Sequence, residues 1–269
     1  MIDKPDSSLA RMMAVLDLFD EQCSALTPEA IGEALQVSQP TAYRYVRVLA
    51  DAGLLQRQGA ANVTLGPRII MLDHLIRRHD PVLRHAVPLM QDLSTTTGLD
   101  CVATALYGMP ARVQLVDIHR VYGAQPASLG YGRGRPRPLL LGAAPKVILA
   151  SLPAAQLHKL LDQQADALPA AGMPADWPAQ RRLFARIRQA GSYVSVGELE
   201  PRLGAVAAPL VLADGRVLGA ISLVTTVDRL SLLDRAKLAG LVRRTASETI
   251  ARIDRSEERR VGKECATLC

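Results

Sequence analysis

The sequence predicts an α+β protein in two parts: a winged helix-turn-helix head, then a larger domain in which an antiparallel sheet is flanked by helices. Three observations predict it. Residues 27–67 read as a short capped helix, a tight turn, a second helix with arginines on one face, and a hairpin-like run. Beyond a connecting helix, β-rich runs and amphipathic helices share the remaining chain. With 269 residues, 49% of them hydrophobic, the chain is long and apolar enough for two buried cores.

The elements follow in order. Leu9, Met12, Met13, Leu16 and Phe19 recur at three and four residues and predict a first helix whose apolar face packs the next two. Thr27 is placed to cap the second helix, with Pro28 in its first turn and Ile31 and Leu35 on its apolar face. Gln36, Val37 and Ser38 make the break. The third helix spans 39–52, with Pro40 where a missing N–H is harmless and Gly53 just past its end. Its stripe is Ala42, Tyr45, Val46 and Leu49. Gln39, Thr41, Tyr43, Arg44 and Arg47 then face outward, with Ser38 at the entry, which is the composition of a helix that enters a major groove.

Exposed arginines alone also describe an ordinary solvated helix. The continuation separates the two readings: strand-like pieces flank Gly59-Ala60-Ala61-Asn62, so a hairpin follows the helix directly, and its Arg57 is placed to meet a phosphate. Residues 68–78 form a further helix with Ile69, Leu72, Leu75 and Ile76 as its stripe, stopping near His79-Asp80-Pro81. This reads as a linker. The second domain opens with a helix over 82–96, closed by Gly98. Strands are expected at 101–106, 112–119, 193–196, 205–212 and 217–224, and helices at 145–151, 154–162, 178–190 and 231–252. Asp214-Gly215 between two apolar runs signals a hairpin. The resulting organisation is a DNA-binding head at 8–66, a linker helix at 67–80 and an effector domain at 81–254.

Charge is distributed unevenly. The formal net charge is +6, yet residues 1–80 carry eight basic and ten acidic side chains, a net −2. Within 36–80, six arginines oppose three aspartates, so positive charge gathers on the third helix, the hairpin and the helix after it.

Several function classes find no support. The most apolar region, 139–155, is interrupted by Pro145, Lys146 and Pro153, so no membrane span is expected, and Asp3, Lys4 and Asp6 do not make a signal peptide. Cys23, Cys101, Cys265 and Cys269 lack the spacing of a zinc site or disulfide framework, which fits a reducing cytoplasm. His74, His79 and His85, five and six apart, do not align on one helical face as metal ligands. Gly130, Gly132 and Gly134 lack the strand-to-helix context of a phosphate loop. Arg133-Gly134-Arg135-Pro136-Arg137 resembles an AT-hook, but the apolar Leu139-Leu140-Leu141 follows at once. No nucleophile–base pair stands out, so neither catalysis nor a cofactor is expected; a catalytic domain fused to a DNA-binding head is the alternative.

Taken together, residues 9–252 resemble the IclR family of bacterial transcriptional regulators. In the head the resemblance is carried by Leu26-Thr27, Ile31, Leu35, Thr41-Ala42-Tyr43-Arg44, Leu49, Leu54 and Leu65-Gly66-Pro67-Arg68. In the second domain it is carried by Thr97-Gly98, the Arg135 to Leu139 segment, Lys146, Gly191-Ser192-Tyr193-Val194, Glu198 and Ala205-Val206-Ala207-Ala208-Pro209. Asp214-Gly215-Arg216-Val217 and Ala220-Ile221-Ser222 complete it.

The resemblance implies a GAF-like effector domain, a double-stranded DNA operator as partner, and a homodimer or tetramer. It also implies a pocket formed by Ala143 and Ala144, whose backbone N–H groups can hold a carboxylate, with Ser195, Ala205 and Ser222 on facing strands. A small organic acid is the expected effector, with Arg133 or Arg135 as its guanidinium and Leu140, Ala205 and Val224 as apolar walls. The helix at 68–78 is expected to carry the response to DNA. The sequence departs from many members by having Leu140, Gly142 and Pro145 where they have His, a small hydroxyl residue and Gly, and Pro40 where they have Ser. The ligand chemistry of better-known relatives therefore does not transfer. The end of the chain, 255–269, resembles a translated sequencing adapter and is expected to be non-native.

Overall fold

The computed structural model describes residues 7–59, 61–108, 113–130 and 132–267, with side chains to residue 256. The chain divides into two units, Met1–His79 and Asp80–Cys269.

The first unit is built on three helical segments. Helix α1, Ser8–Met13, starts where the Ser7 side chain accepts from the Ala10 N–H, and it is shorter than the apolar spacing predicts. After Met13 the bonding tightens to a 3-10 turn, Leu16–Leu18, which rotates Val15 into the core and leaves Leu9 and Met13 exposed. Asp20, just past the last residue of the predicted stripe, then accepts from the N–H groups of Gln22 and Cys23 and turns the chain. Helix α2, Pro28–Leu35, is capped by Thr27 Oγ1 on Ala30 N at 3.2 Å, and it ends at Gln36 in the left-handed region.

Helix α3, Gln39–Asp51, buries Ala42, Tyr45, Val46 and Leu49, the stripe its sequence predicts, against Val15, Ile31, Leu55 and Val63. The Tyr45 hydroxyl lies 3.0 Å from Ser8 Oγ, which ties α1 to α3. Strands β1, Leu55–Gln58, and β2, Asn62–Leu65, pair antiparallel with Leu55 opposite Leu65 and Gln58 opposite Asn62; Ala60 of the turn lies outside the described residues. Leu26 bridges Val63, so the segment before α2 is sewn to the hairpin. Gly66 passes so close to the Gly53 carbonyl that a Cβ would stand 2.2 Å from its oxygen. Arg68 donates to Ala52 O at 2.9 Å and closes the end of α3. Helix α4, Pro67–His79, buries no residue within its unit: Ile70, Met71, Leu72, Leu75 and Ile76 are all exposed.

The second unit is a six-stranded antiparallel sheet with helices on both faces. Helix α5, Pro81–Thr97, is capped by Asp80 and closed by Gly98 with φ of 65°. Strands β3, Asp100–Tyr107, β4, Gln114–Val121, and β5, Pro136–Arg137, follow; Arg112 of the strand expected at 112–119 lies outside the described residues. Next come helices α6, Ala143–Ser151, α7, Ala154–Gln163, and α8, Trp177–Ala190, then strands β6, Tyr193–Val196, β7, Leu203–Val211, and β8, Val217–Thr226. Two helices end the unit: α9, Val227–Ser231, and α10, Arg235–Thr267. The helix expected to begin at Ser231 begins instead at Arg235, after Asp234, which accepts from the N–H groups of Ala236 and Lys237, and the short α9 before it was not expected.

The strand order is β5-β4-β3-β8-β7-β6. Strand periodicity sorts the side chains. Cys101, Ala103, Val206, Ala208, Ile221 and Leu223 face α5 and α10, while Ala207, Ala220 and Leu115 face α6, α7 and α8. Strand β5, which the sequence did not suggest, carries a proline because it is an edge strand with one side unpaired.

Candidate functional site

In the head, the residues expected to meet DNA come together on one surface of α3 and its flanks. Ser38, Gln39, Tyr43, Arg44 and Arg47 are exposed and Thr41 is half-buried, with Ser38 Oγ and Thr41 Oγ1 2.9 Å apart. Arg57 is exposed on β1. The Tyr43 hydroxyl donates to Glu29 Oε1 at 2.5 Å, a contact that sequence reading missed because the partners are fourteen residues apart on different helices. That bond, largest among the causes, raises the Tyr43 pKa and lowers that of Glu29.

In the second unit, Ser195, Ala205 and Val224 stand in one row across β6, β7 and β8. Together with Ala143 at the start of α6 they line a cavity of about 10 Å³, room for a single water, that Arg137, Leu199 and Leu203 also border. Five other predicted residues lie elsewhere. Leu140 and Ala144 are buried in the core beside Leu115 and Val147, and Ser222 Oγ donates to Val102 O at 3.3 Å. Arg135 is exposed and donates to the Gly130 carbonyl, while Arg133 Nε donates to Ile118 O at 3.1 Å.

The guanidinium at the cavity is that of Arg137, not Arg133 or Arg135. The signal was present, since Arg137 is the arginine nearest the apolar run 139–141. It pairs with Asp117 at 3.2 Å, both side chains being under 5% exposed. Asp117 also accepts from Thr104 Oγ1 at 2.7 Å, but its Oδ2 has no hydrogen-bond partner among the described residues. Burial pushes the Asp117 carboxyl up, and the Arg137 charge works against that rise. With Arg137 folded into the sheet, the 133–137 run cannot lie as a hook in a minor groove.

The start of α6 already holds a carboxylate. Glu198 accepts from Gly142 N at 3.0 Å, from Lys146 Nζ at 2.7 Å and from the Tyr193 hydroxyl at 2.8 Å. Burial, and then the bond to Glu198, raise the Tyr193 pKa. Glu200 accepts from Gly130 N at 2.8 Å, so two glutamates tie the loop between β6 and β7 over the cavity. The sequence assigns the Ala143 and Ala144 N–H groups to a ligand; the N–H that Glu198 takes is that of Gly142, the residue just before them.

Two domain descriptions match this arrangement: the IclR helix-turn-helix domain over residues 8–59, and the bacterial transcriptional regulator IclR C-terminal domain over residues 74–251. The chain belongs to the IclR family. It is 27% identical over 234 residues to the HTH-type transcriptional regulator XynR of Escherichia coli, covering 86% of this chain and 90% of the relative. Identity is 25% over 242 residues to the regulator KipR of Bacillus subtilis, covering 88% and 95%.

Among solved structures, an IclR homolog from Microbacterium hydrocarbonoxydans complexed with 4-hydroxybenzoate superposes with a TM-score of 0.76 at 22% identity, covering 92% of this chain and 99% of that one. The IclR of Thermotoga maritima superposes with a TM-score of 0.68 at 20% identity, covering 91% and 98%. These likenesses bear out the α+β fold, with its helix-turn-helix head and its antiparallel sheet clothed in helices. The protein is a transcriptional regulator of this family with a DNA-binding head and an effector-binding domain. Among the described residues, no helix is long and apolar enough to cross a membrane, and no group of three His, Cys, Asp or Glu side chains is placed to hold a metal ion.

Proposed function

We propose that the protein regulates transcription by binding a double-stranded operator through α3, under the control of a small carboxylic acid bound in the second unit. The observation that carries the effector reading is the buried Arg137 guanidinium at the wall of a cavity whose other lining is small and apolar apart from Glu200, the acid that accepts from Gly130 N. A guanidinium in a low-dielectric cavity favours a planar carboxylate, with which it forms paired charge-assisted hydrogen bonds. The 4-hydroxybenzoate held by the Microbacterium homolog makes an aromatic acid the first ligand to try. A cavity of about 10 Å³ admits such a molecule only when its walls move, with the 197–202 loop the segment that must yield. The domain acts by binding rather than turnover.

DNA reading requires a second copy. One recognition helix reads few base pairs, and two heads cover a palindrome with half-sites about 10 base pairs, or a multiple, apart. The exposed apolar residues of α4, with Leu9 and Met13 of α1, support a homodimer or a tetramer built from it. The cytoplasm is the compartment that suits this role.

Ser38, Gln39, Thr41, Tyr43, Arg44, Arg47 and Arg57 are the DNA-contact set. Arg47→Ala should weaken binding to every sequence and reduce the slope of log affinity against log salt by about one unit, as loss of one phosphate contact does. Arg44→Ala should instead relax the preference at one base position by about 1–3 kcal/mol. Salt titrations of both variants on preferred and scrambled duplexes test this; identical behaviour of the two would remove the division of roles.

A further inference from the structure

The Glu29–Tyr43 bond joins the two helices of the helix-turn-helix on their solvent side. Glu29 is in the first turn of α2, and Tyr43, 48% exposed, stands on α3. Gln39, Tyr43 and Arg47 are spaced by four, so Tyr43 is the middle of a row on the face turned away from the core. A tyrosine hydroxyl has one proton to donate. Given to Glu29, that proton is not offered to a base or a phosphate, and the phenol meets a duplex with its ring and its oxygen as acceptor. The carboxylate beside it repels phosphate, on a surface otherwise provided with Arg44, Arg47 and Arg57.

We propose that Glu29 is a positioning residue for base reading: it fixes the Tyr43 ring so that its edge meets a base in the major groove, and its charge suppresses binding that rests on the DNA backbone alone. This rests on the reading of α3 as the DNA-binding helix but not on the identity of the operator. The simpler role, a carboxylate that only favours the N-terminus of α2, leaves base preference untouched.

The test uses the full chain, selection from a random duplex library, and anisotropy titrations on the selected duplex and a scrambled one. Glu29→Gln keeps an oxygen for the Tyr43 hydroxyl and removes the charge. It should select the same sequence while binding the scrambled duplex several-fold more tightly. Glu29→Ala and Tyr43→Phe should each lose about fivefold in discrimination at the same one or two base positions. The double variant should lose no more than either alone. Glu29→Ala that discriminates as the wild type does, or single effects that fall at different positions or add, would overturn the proposal. Should Glu29→Ala not fold, Tyr43→Phe with unchanged preference overturns it equally. A wild-type chain that enriches no sequence overturns the DNA-binding reading itself, a result distinct from any of these.

Discussion

Arg137→Met should destabilise the second unit by about 3–5 kcal/mol, because it leaves the Asp117 carboxylate buried without its countercharge. The pH dependence has a definite sign. Burial raises the folded-state pKa of Asp117 above its ordinary value of 3.8, so the stability linked to its protonation is fully present below that value and lost as pH rises through the folded one. Removing Arg137 raises the folded value further. The variant should therefore approach wild-type stability as the pH is lowered through its own raised Asp117 pKa towards that of the wild type, and fall away as it is raised.

Asp117→Asn added to Arg137→Met should restore most of the lost stability, since no charge is then stranded. It should not restore carboxylate binding, which the loss of the guanidinium weakens by about 100-fold. Denaturant unfolding at several pH values, paired with calorimetry on aromatic acids, separates the structural from the binding role. A double variant that regains both would show that Arg137 serves the sheet alone.

Gly66→Ala should have the second large effect, confined to the head. An added Cβ would stand 2.2 Å from Gly53 O and 2.9 Å from the Leu54 carbonyl carbon, contacts that only backbone movement relieves. That backbone holds the Gly66 N–H to Leu54 O at 2.8 Å and the Arg68 N–H to Gly53 O at 3.1 Å, the bonds by which the hairpin returns to the end of α3. A loss of about 2–3 kcal/mol follows, enough to unfold a small helical unit for much of the time. DNA binding should fail while ligand binding in the second unit persists. Limited proteolysis, with cleavage restricted to residues before 80, checks this; cleavage spread over both units would contradict it.

How much of this was legible depends on the distance over which each feature is determined. The stripe Ala42, Tyr45, Val46 and Leu49 and the outward row beside it were legible because helical periodicity is local, and the β6 strand at 193–196 was read with its observed bounds. The first helix was overread: its apolar spacing from Leu9 to Phe19 fits one helix, but the bonding tightens to a 3-10 turn after Met13, so that Val15 and not Leu9 reaches the core. Strand β5 escaped because two residues, one of them a proline and the pair followed by another, carry no alternation, and with it went the inward placement of Arg137. The Glu198 contacts escaped as well, since Lys146 and Gly142 lie 52 and 56 residues away. In the family's terms, the residues that give the fold were legible as patterns, whereas those that set the polarity of the cavity depend on pairings that no local pattern reveals.

The most direct test of the central claim is the affinity of the full chain for its selected duplex, measured by anisotropy with saturating 4-hydroxybenzoate and with the neutral 4-hydroxybenzamide, and repeated over a panel of carboxylic acids and their amides. An acid that regulates must bind the DNA-competent and incompetent states differently, so at least one acid should shift the midpoint about fivefold or more while its amide does not. Midpoints unmoved by every acid, or moved equally by acid and amide, would contradict an anion-controlled regulator.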